Sequence, residues 1–257
     1  MPLPYTGQNG ELNFEADVVE LLKKARWEHE VLKNKTIPEL IDNWKDILFE
    51  RNRTTLNNVP LSSDEMDRVM DVVRLQANTP VKANHFVNGR PIAIKRDSDS
   101  PDKQHAGHEV YLDLFSATEI AGGSSRYQIA EQTYFSTDPQ FNDRRGDITL
   151  LINGMPVIHI ELKASGVNVY EASNQIVKYA NEGVWSGFMG LVQVFWAMTP
   201  EDALFFANAG NPTAFNSAFF FRWGDRDNNV IKDWRELITK YSYSMIMETL
   251  SLKLMIN

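Results

Sequence analysis

Two carboxylates and a lysine flank a predicted β-hairpin. Asp147 opens the apolar run ITLLI, and Glu161 and Lys163 close the second run, VIHIELK. Asn153-Gly154 separates the runs, and Asn-Gly between β-rich segments is a strong signal for a tight turn. Because side chains alternate along a strand, Glu161 and Lys163 project from the same face. If the strands pair around this turn, Asp147 and Glu161 lie at neighbouring strand ends and converge.

These side chains are what metal-assisted cleavage of a phosphodiester requires. Carboxylate oxygens hold Mg²⁺, and waters complete its octahedron. The metal polarises the scissile phosphate and lowers the pKa of a bound water. Lys163 would position the attacking water or neutralise charge that develops in the transition state. The ordinary alternative is a solvated strand end, since Glu-x-Lys is a frequent surface pairing.

A helix is predicted over residues 170–182. Gln175 and Tyr179 are four residues apart on it and share one face, for which an exposed helix face is the ordinary explanation. Each motif is weak alone. The ordered set of acid, Glu-x-Lys and Gln-x-x-x-Tyr, with a hairpin and then a helix, is specific.

This ordered set resembles the core of PD-(D/E)xK nucleases followed by a QxxxY motif. The combination is similar to the nuclease domain of the R (motor and endonuclease) subunit of type I restriction enzymes. The likeness runs through DITLLINGMPVIHIELKASGV and resumes in NNVIKDW. One departure is Gly146, which stands before Asp147 where the motif has proline.

The resemblance implies a restriction-endonuclease-like α/β fold, with a mixed central sheet flanked by helices. It implies five catalytic residues: Asp147, Glu161, Lys163, Gln175 and Tyr179. It implies metal ligands from Asp147, Glu161, the backbone carbonyl of Leu162 and, at the edge of the site, Glu15. For Glu15 the alternative is an acid that stabilises a helix N-terminus.

The resemblance also implies Mg²⁺-dependent cleavage of double-stranded DNA, in a complex with methyltransferase and specificity subunits. In this family, cleavage follows ATP-driven translocation by helicase-like motor domains. No glycine in the sequence precedes lysine, so a Walker A loop is missing and ATP is expected to serve only motor domains outside this sequence. We predict one nuclease domain over residues 1–257, with a helical part at 14–80 and a catalytic core at 108–240.

Three alternatives stay open. The chain could be another PD-(D/E)xK nuclease, such as a repair or type III restriction subunit. It could instead be a nuclease scaffold that is catalytically silent and only docks partner subunits. If the motifs coincide by chance in an ordinary α/β domain, Asp147 and Glu161 will lie far apart.

Composition further restricts the class of protein to which this sequence can belong. The 257 residues include 43% hydrophobic residues and no cysteine, which excludes disulfides and thiolate zinc sites. The net charge of −8 argues against a free-standing DNA binder, but other domains or subunits can deliver DNA to a nuclease. No signal peptide or membrane-spanning apolar run is visible, so we predict a cytoplasmic protein.

The remaining pattern predicts the elements around the hairpin. Helices are expected at residues 14–27, 36–50, 64–76 and 231–241. Strands are expected at 110–115, 127–135, 190–198, 203–208 and 217–223, with a short Asn-Gly strand pair at 87–92. Caps are predicted at Thr36 and at Ser62 or Ser63.

Two further groups of residues have two interpretations each. Alternation places His159 on the Glu161 face, where it could orient a metal-bound water or be an ordinary half-buried histidine. The aromatics at residues 219–221 could stack on bases or pack against the sheet.

Overall fold

The structure is a computed structural model that describes residues 5–87, 89–115, 125–135 and 144–241. In chain order its main elements are α1 (Gly10–Lys24), β1 (Val31–Lys33), α2 (Ile37–Arg51), α3 (Ser63–Gln76), α4 (Pro80–Val87), β2 (Ile92–Lys95), β3 (Glu109–Leu112), β4 (Tyr127–Tyr134), β5 (Arg145–Ile152), β6 (Met155–Leu162), α5 (Val169–Asn181), β7 (Val194–Met198), β8 (Ala203–Ala207) and α6 (Trp234–Glu236). A π-helical turn, Leu237–Tyr241, continues α6. Within these ranges, no helix has both the length and the apolar character needed to cross a bilayer.

Six strands form one mixed sheet in the order β1-β4-β5-β6-β7-β8. Strands β4, β5 and β6 are antiparallel neighbours, whereas β1 runs parallel to β4 and β7 runs parallel to β6. Every residue of β6 is buried, as expected for a strand covered on both faces. Helix α5 packs against β6, β7 and β8, and α1 contacts β6. The predicted α/β class with a mixed central sheet is confirmed.

Two N-terminal helices begin at residues that the sequence marks as caps. Thr36 Oγ1 accepts the N–H of Glu39, whose carboxylate accepts the N–H of Thr36 in return. Ser62 and Glu65 form the same reciprocal pair at the start of α3. A cap of this kind stabilises a helix by about 1 kcal/mol, so local chemistry favours these two boundaries.

The strand pair predicted at residues 87–92 is wrong. Residues up to Val87 belong to helix α4, and Asn88 lies outside the described residues. Pro80 opens this helix, where its missing N–H has no cost, and Thr79 Oγ1 accepts the N–H of Lys82. Strand β2 pairs antiparallel with β3 instead and forms a separate two-stranded sheet.

The strand predicted at residues 217–223 is wrong, and the strand predicted at 190–198 is shorter than expected. The segment 217–223 is a 3₁₀ turn, Ser217–Phe219, and an isolated bridge between Phe205 and Phe221. Asn216 accepts the N–H of Ala218 and so favours a turn over an extended chain. In the segment 190–198, a 3₁₀ turn ends at Leu191 and the strand begins only at Val194.

Candidate active site

The turn between β5 and β6 has the geometry that its sequence predicts. Asn153 and Gly154 both have positive φ values, 51° and 83°, as the tightest hairpin turns require. A Cβ at Gly154 would lie 2.9 Å from the Cα of Trp44, so helix α2 also requires glycine here. The predicted hairpin at Asn153-Gly154 is confirmed.

A β-bulge determines which residues face each other across this hairpin. The register shifts between Leu150 and Leu151 and leaves Val157 as an extra residue on β6. Continued beyond the bulge, the register places Asp147 opposite Glu161. Because a slip of one residue moves every side chain to the other face of a sheet, the two acids share a face only with the bulge present.

Asp147 and Glu161 converge where the hairpin ends. Asp147 Oδ2 accepts the N–H of Leu162 at 2.7 Å, so this carboxylate joins the ends of both strands. The Glu161 side chain is completely buried. Its Oε2 lies 3.1 Å from His159 Nε2, and its Oε1 has no hydrogen-bond partner in the described part of the chain. The alternatives of a solvated strand end and of two distant acids are therefore wrong.

Lys163 places its ammonium beside this pair. Its Nζ lies 3.8 Å from Glu161 Oε1 and donates to the Leu162 carbonyl oxygen at 2.9 Å. A third acid, Glu11 at the start of α1, approaches the same Nζ at 3.4 Å. The lysine, the buried acid and the Leu162 carbonyl therefore surround one small volume.

Gln175 and Tyr179 link helix α5 to the start of β5. Gln175 Nε2 donates to the Tyr179 hydroxyl at 2.7 Å, and that hydroxyl donates to the Arg145 carbonyl at 3.1 Å. The Tyr179 side chain is buried, so the alternative of an exposed helix face is wrong for it. This connection fixes the backbone two residues before Asp147.

Glu15 lies on the same side of the site as Asp147. The helix α1 starts at Gly10, so Glu15 is in its second turn, and the alternative of an N-terminal acid is wrong. Glu15 is buried, and its Oε1 has no hydrogen-bond partner among the described residues. A cavity of about 340 Å³ opens here and is lined by Glu11, Leu12, Glu15, Gln132, Arg145, Asp147 and Gln175.

Gln132 is the partner of Glu15 that sequence reasoning misses. It has a positive φ of 58° within β4, at the position that the register with β5 would pair with Asp147. A left-handed residue other than glycine inside a strand is unfavourable and is typical of functional sites. The kink lets Gln132 Nε2 donate to Glu15 Oε2.

The pKa values of the acids follow from burial and crowding. Burial, and then repulsion from Glu161, raises the pKa of Asp147 well above its usual range. Burial raises the pKa of Glu161 to about 8 despite the attraction of Lys163, and burial and then Asp147 raise that of Glu15 to about 8. For Lys163, burial lowers the pKa, but Glu161, Asp147 and Glu11 outweigh it, so the pKa ends above its ordinary value. The crowded acids thus favour the uptake of positive charge, which keeps Lys163 protonated.

The donor atoms fit a hard divalent cation. Both Glu161 and Glu15 present a buried oxygen without a hydrogen-bond partner in the described chain. Mg²⁺ is commonly held by one or two carboxylates, with waters in the other positions. Within the described residues, no three His, Asp or Glu side chains form a metal-binding group by themselves, so backbone and water oxygens would have to complete such a site.

Two residues of the site outside the predicted catalytic set had a signal in the sequence. Glu11 is four residues before Glu15, and this spacing places both acids on one helix face. Arg145 directly precedes Gly146-Asp147 and lines the cavity mouth as an exposed side chain. Gln132 had no such signal, because its role depends on a strand kink.

The packing around residue 146 explains why glycine stands where the motif has proline. A Cβ at this position would collide with the ring of Phe135 and lie 2.5 Å from Cε1 of His159. No side chain fits there without a shift of these two rings. Glycine thus allows the buried His159 to sit beneath the strand next to Asp147.

Fold and site together define a mixed α/β domain with a buried cluster of carboxylates and one lysine at the ends of two central strands. The profile of the N-terminal region of type I restriction enzyme R proteins matches residues 11–214. The chain therefore belongs to this family, as the resemblance in its motifs predicts.

Individual relatives agree with this assignment. The SsaAORF53P endonuclease subunit of Staphylococcus saprophyticus is 28% identical over 226 residues, which cover 88% of this chain and 22% of that protein. The SauMSSORF170P subunit of Staphylococcus aureus is 25% identical over 221 residues, or 86% of this chain and 22% of that protein. The EcoprrI subunit of Escherichia coli is 34% identical over 99 residues, or 38% and 32%. All three are named as type I restriction enzyme endonuclease subunits, and the chain spans 22% of the length of the first two.

Proposed function

We propose that this chain is the Mg²⁺-dependent endonuclease domain of a type I restriction R subunit, built on a PD-(D/E)xK core, and that it hydrolyses phosphodiester bonds of double-stranded DNA. The observation that supports this most strongly is the convergence of Asp147, Glu161 and Lys163 at one end of the hairpin. A bound Mg²⁺ would supply Lewis-acid polarisation of the phosphodiester and activation of water.

The residues of the chain divide this work. Asp147 and Glu161 would hold the cation, with the Leu162 carbonyl and Glu15 at its edges. Lys163 is within 3.8 Å of Glu161, where its ammonium can orient a water and neutralise charge that develops on the phosphate. All the metal-binding atoms are oxygens, which suits Mg²⁺ better than a softer metal.

Gln175 and Tyr179 would act by positioning. Their hydrogen bonds end on the carbonyl of Arg145, and this fixes the start of β5, which carries Asp147. Gln175 also lines the cavity and can contact a DNA phosphate there. Arg145, exposed at the cavity mouth, is a second candidate for a phosphate contact.

Delivery of DNA would depend on the rest of the restriction complex. The net charge of −8 gives the chain no general attraction for nucleic acid. We propose that ATP-driven motor domains in the remainder of the R subunit bring duplex DNA to this site. Methyltransferase and specificity subunits would be the other partners, and the complex would act in the cytoplasm.

Metal binding tests the proposal directly. In calorimetric titration of this chain with Mn²⁺, the wild type should bind, and Asp147→Ala and Glu161→Ala should each lose most of the affinity. Glu171→Ala, an exposed acid on α5, is the matched control and should bind like wild type. Absence of binding, or binding that both site variants retain, would overturn the metal site and favour a docking module.

Cleavage is the second test. In a complete R subunit assembled with its partner subunits, Asp147→Ala, Glu161→Ala and Lys163→Ala should each abolish DNA cutting and spare ATP hydrolysis. A variant that still cuts DNA would exclude its residue from catalysis. Cutting by this chain alone, without any motor, would instead favour a free-standing PD-(D/E)xK nuclease.

A further inference from the structure

His159 is a buried titratable residue beside the site to which the proposed chemistry assigns no role. It lies in the middle of β6, completely buried, two residues before Glu161 on the same face. Both ring nitrogens have partners: Nε2 lies 3.1 Å from Glu161 Oε2, and Nδ1 lies 3.2 Å from Thr149 Oγ1. The side chain thus joins β5 to the Glu161 carboxylate.

Aromatic side chains hold the imidazole in place. Its ring centre is 4.9 Å from that of Trp185, 5.7 Å from that of Phe135 and 6.4 Å from that of Phe195. The ring of Phe135 and that of His159 also occupy the space that a side chain at Gly146 would need. In such close packing the ring cannot turn without displacing its neighbours.

The partners determine which nitrogen has the proton. Glu161 must be an ionised carboxylate when it binds a cation, and an ionised carboxylate only accepts hydrogen bonds, so Nε2 must donate to it in that state. A neutral imidazole has one N–H, so Nδ1 is then an acceptor. The Thr149 hydroxyl, which can donate, meets that requirement at 3.2 Å.

We infer that His159 is a positioning residue, which fixes the Glu161 carboxylate by a hydrogen bond from Nε2–H while Thr149 donates to Nδ1. This inference rests on the proposed metal-dependent function of Glu161. With Oε2 engaged by the imidazole, Oε1 is left facing Lys163 Nζ at 3.8 Å, without a hydrogen-bond partner in the described chain. Oε1 is therefore the oxygen that His159 presents to a cation.

Three substitutions separate this role from simple packing. His159→Phe keeps an aromatic ring but removes the donor, and loss of such an outer hydrogen bond weakens metal affinity about 10- to 100-fold. His159→Gln retains an N–H near the position of Nε2 and should restore most of the affinity. Thr149→Val removes the hydroxyl that selects the tautomer and should weaken Mn²⁺ binding without the loss of a ring.

The experiment combines Mn²⁺ calorimetry with ¹⁵N NMR of the histidine rings in the metal-free chain at about pH 9.5, where Glu161, whose pKa is raised to about 8, is ionised. His85→Gln, which alters an exposed histidine on α4, is the control and should change neither the Mn²⁺ affinity nor the His159 signals. We expect His159 as the Nε2–H tautomer in wild type, and a population of the Nδ1–H tautomer in Thr149→Val.

The outcomes are distinct. An Nδ1–H tautomer in wild type would overturn the inference, and so would wild-type Mn²⁺ affinity in His159→Phe. If His159→Phe does not fold, equal affinity of Thr149→Val and wild type would overturn it. If wild type itself binds no Mn²⁺, the metal-dependent function fails, whereas the tautomer still decides whether His159 donates to Glu161.

Discussion

Removing the charge of Glu161 should stabilise the metal-free protein, although it destroys the proposed site. The substitution is Glu161→Gln, which keeps the size of the side chain. The residue is completely buried, and burial raises its pKa to about 8. A buried carboxylate of this kind is tolerated for function and opposes folding whenever it is ionised.

The sign follows from proton linkage. The folded protein keeps a proton on Glu161 up to about pH 8, whereas an unfolded chain loses it near pH 4.3. Between these values the folded state binds more protons, so stability falls as the pH rises. At about 1.4 kcal/mol for each pH unit, the largest possible loss is on the order of 5 kcal/mol. Since local relaxation and water entry reduce such penalties, we expect Glu161→Gln to gain about 1–3 kcal/mol at pH 9 and little at pH 5.

Urea unfolding in EDTA measures this effect. Wild type and Glu161→Gln are compared at pH 5, 7 and 9, with Glu171→Gln on the exposed side of α5 as control. The difference between Glu161→Gln and wild type should grow with pH, and the control should run parallel to wild type. A variant that is less stable than wild type at pH 9, or a difference that does not change with pH, would refute the assigned environment of Glu161.

Three further predictions follow from the same geometry. Gly146→Ala should destabilise the fold by about 1–3 kcal/mol through overpacking. Gly190→Ala is the control and should have little effect, because a Cβ there would lie 3.6 Å from its nearest neighbour. Thermal unfolding of the two variants tests this difference. Tyr179→Phe should cost about 1 kcal/mol through loss of its hydrogen bonds and should lower cleavage, while unchanged stability in urea would contradict this. In a Lys163→Ala background with Mn²⁺, Arg145→Ala should weaken binding of duplex DNA and reduce the slope of log affinity against log salt concentration by about 1. Fluorescence anisotropy at several salt concentrations measures this slope, and an unchanged slope would contradict the prediction.

Local sequence signals predicted the parts of the fold that depend on neighbouring residues. The caps at Thr36 and Ser62 form because the acceptor and the matching Glu are three residues apart. The turn at Asn153-Gly154 forms because both residues tolerate positive φ. In each case the decisive interaction joins residues within one helical turn or one hairpin. The local sequence therefore predicts the structure, and tertiary packing agrees with it.

The features that depend on distant packing could not be predicted. A plain two-residue hairpin would place Asp147 opposite Ile160, and its acids on different faces, and only the extra Val157 corrects this. The kink at Gln132 likewise depends on Glu15, 117 residues away in sequence. The sequence thus predicted that Asp147, Glu161 and Lys163 converge, but not the two strand irregularities beside them.

The rigidity of these strands explains why the carboxylates of the site stay close together despite their mutual repulsion, which a flexible loop would relieve. Glu161 lies between paired neighbours, on a strand hydrogen-bonded to β5 on one side and β7 on the other, so its carboxylate cannot move out to water. Protons and a divalent cation are then two competing ways to neutralise the acids. Because burial raises the pKa of Glu161 to about 8, this acid keeps a proton near neutral pH, and binding of a cation there would have to release it. The same burial that destabilises the metal-free protein would therefore make the affinity for the proposed metal rise with pH, and this would join the fold's stability to the proposed chemistry through one group of side chains.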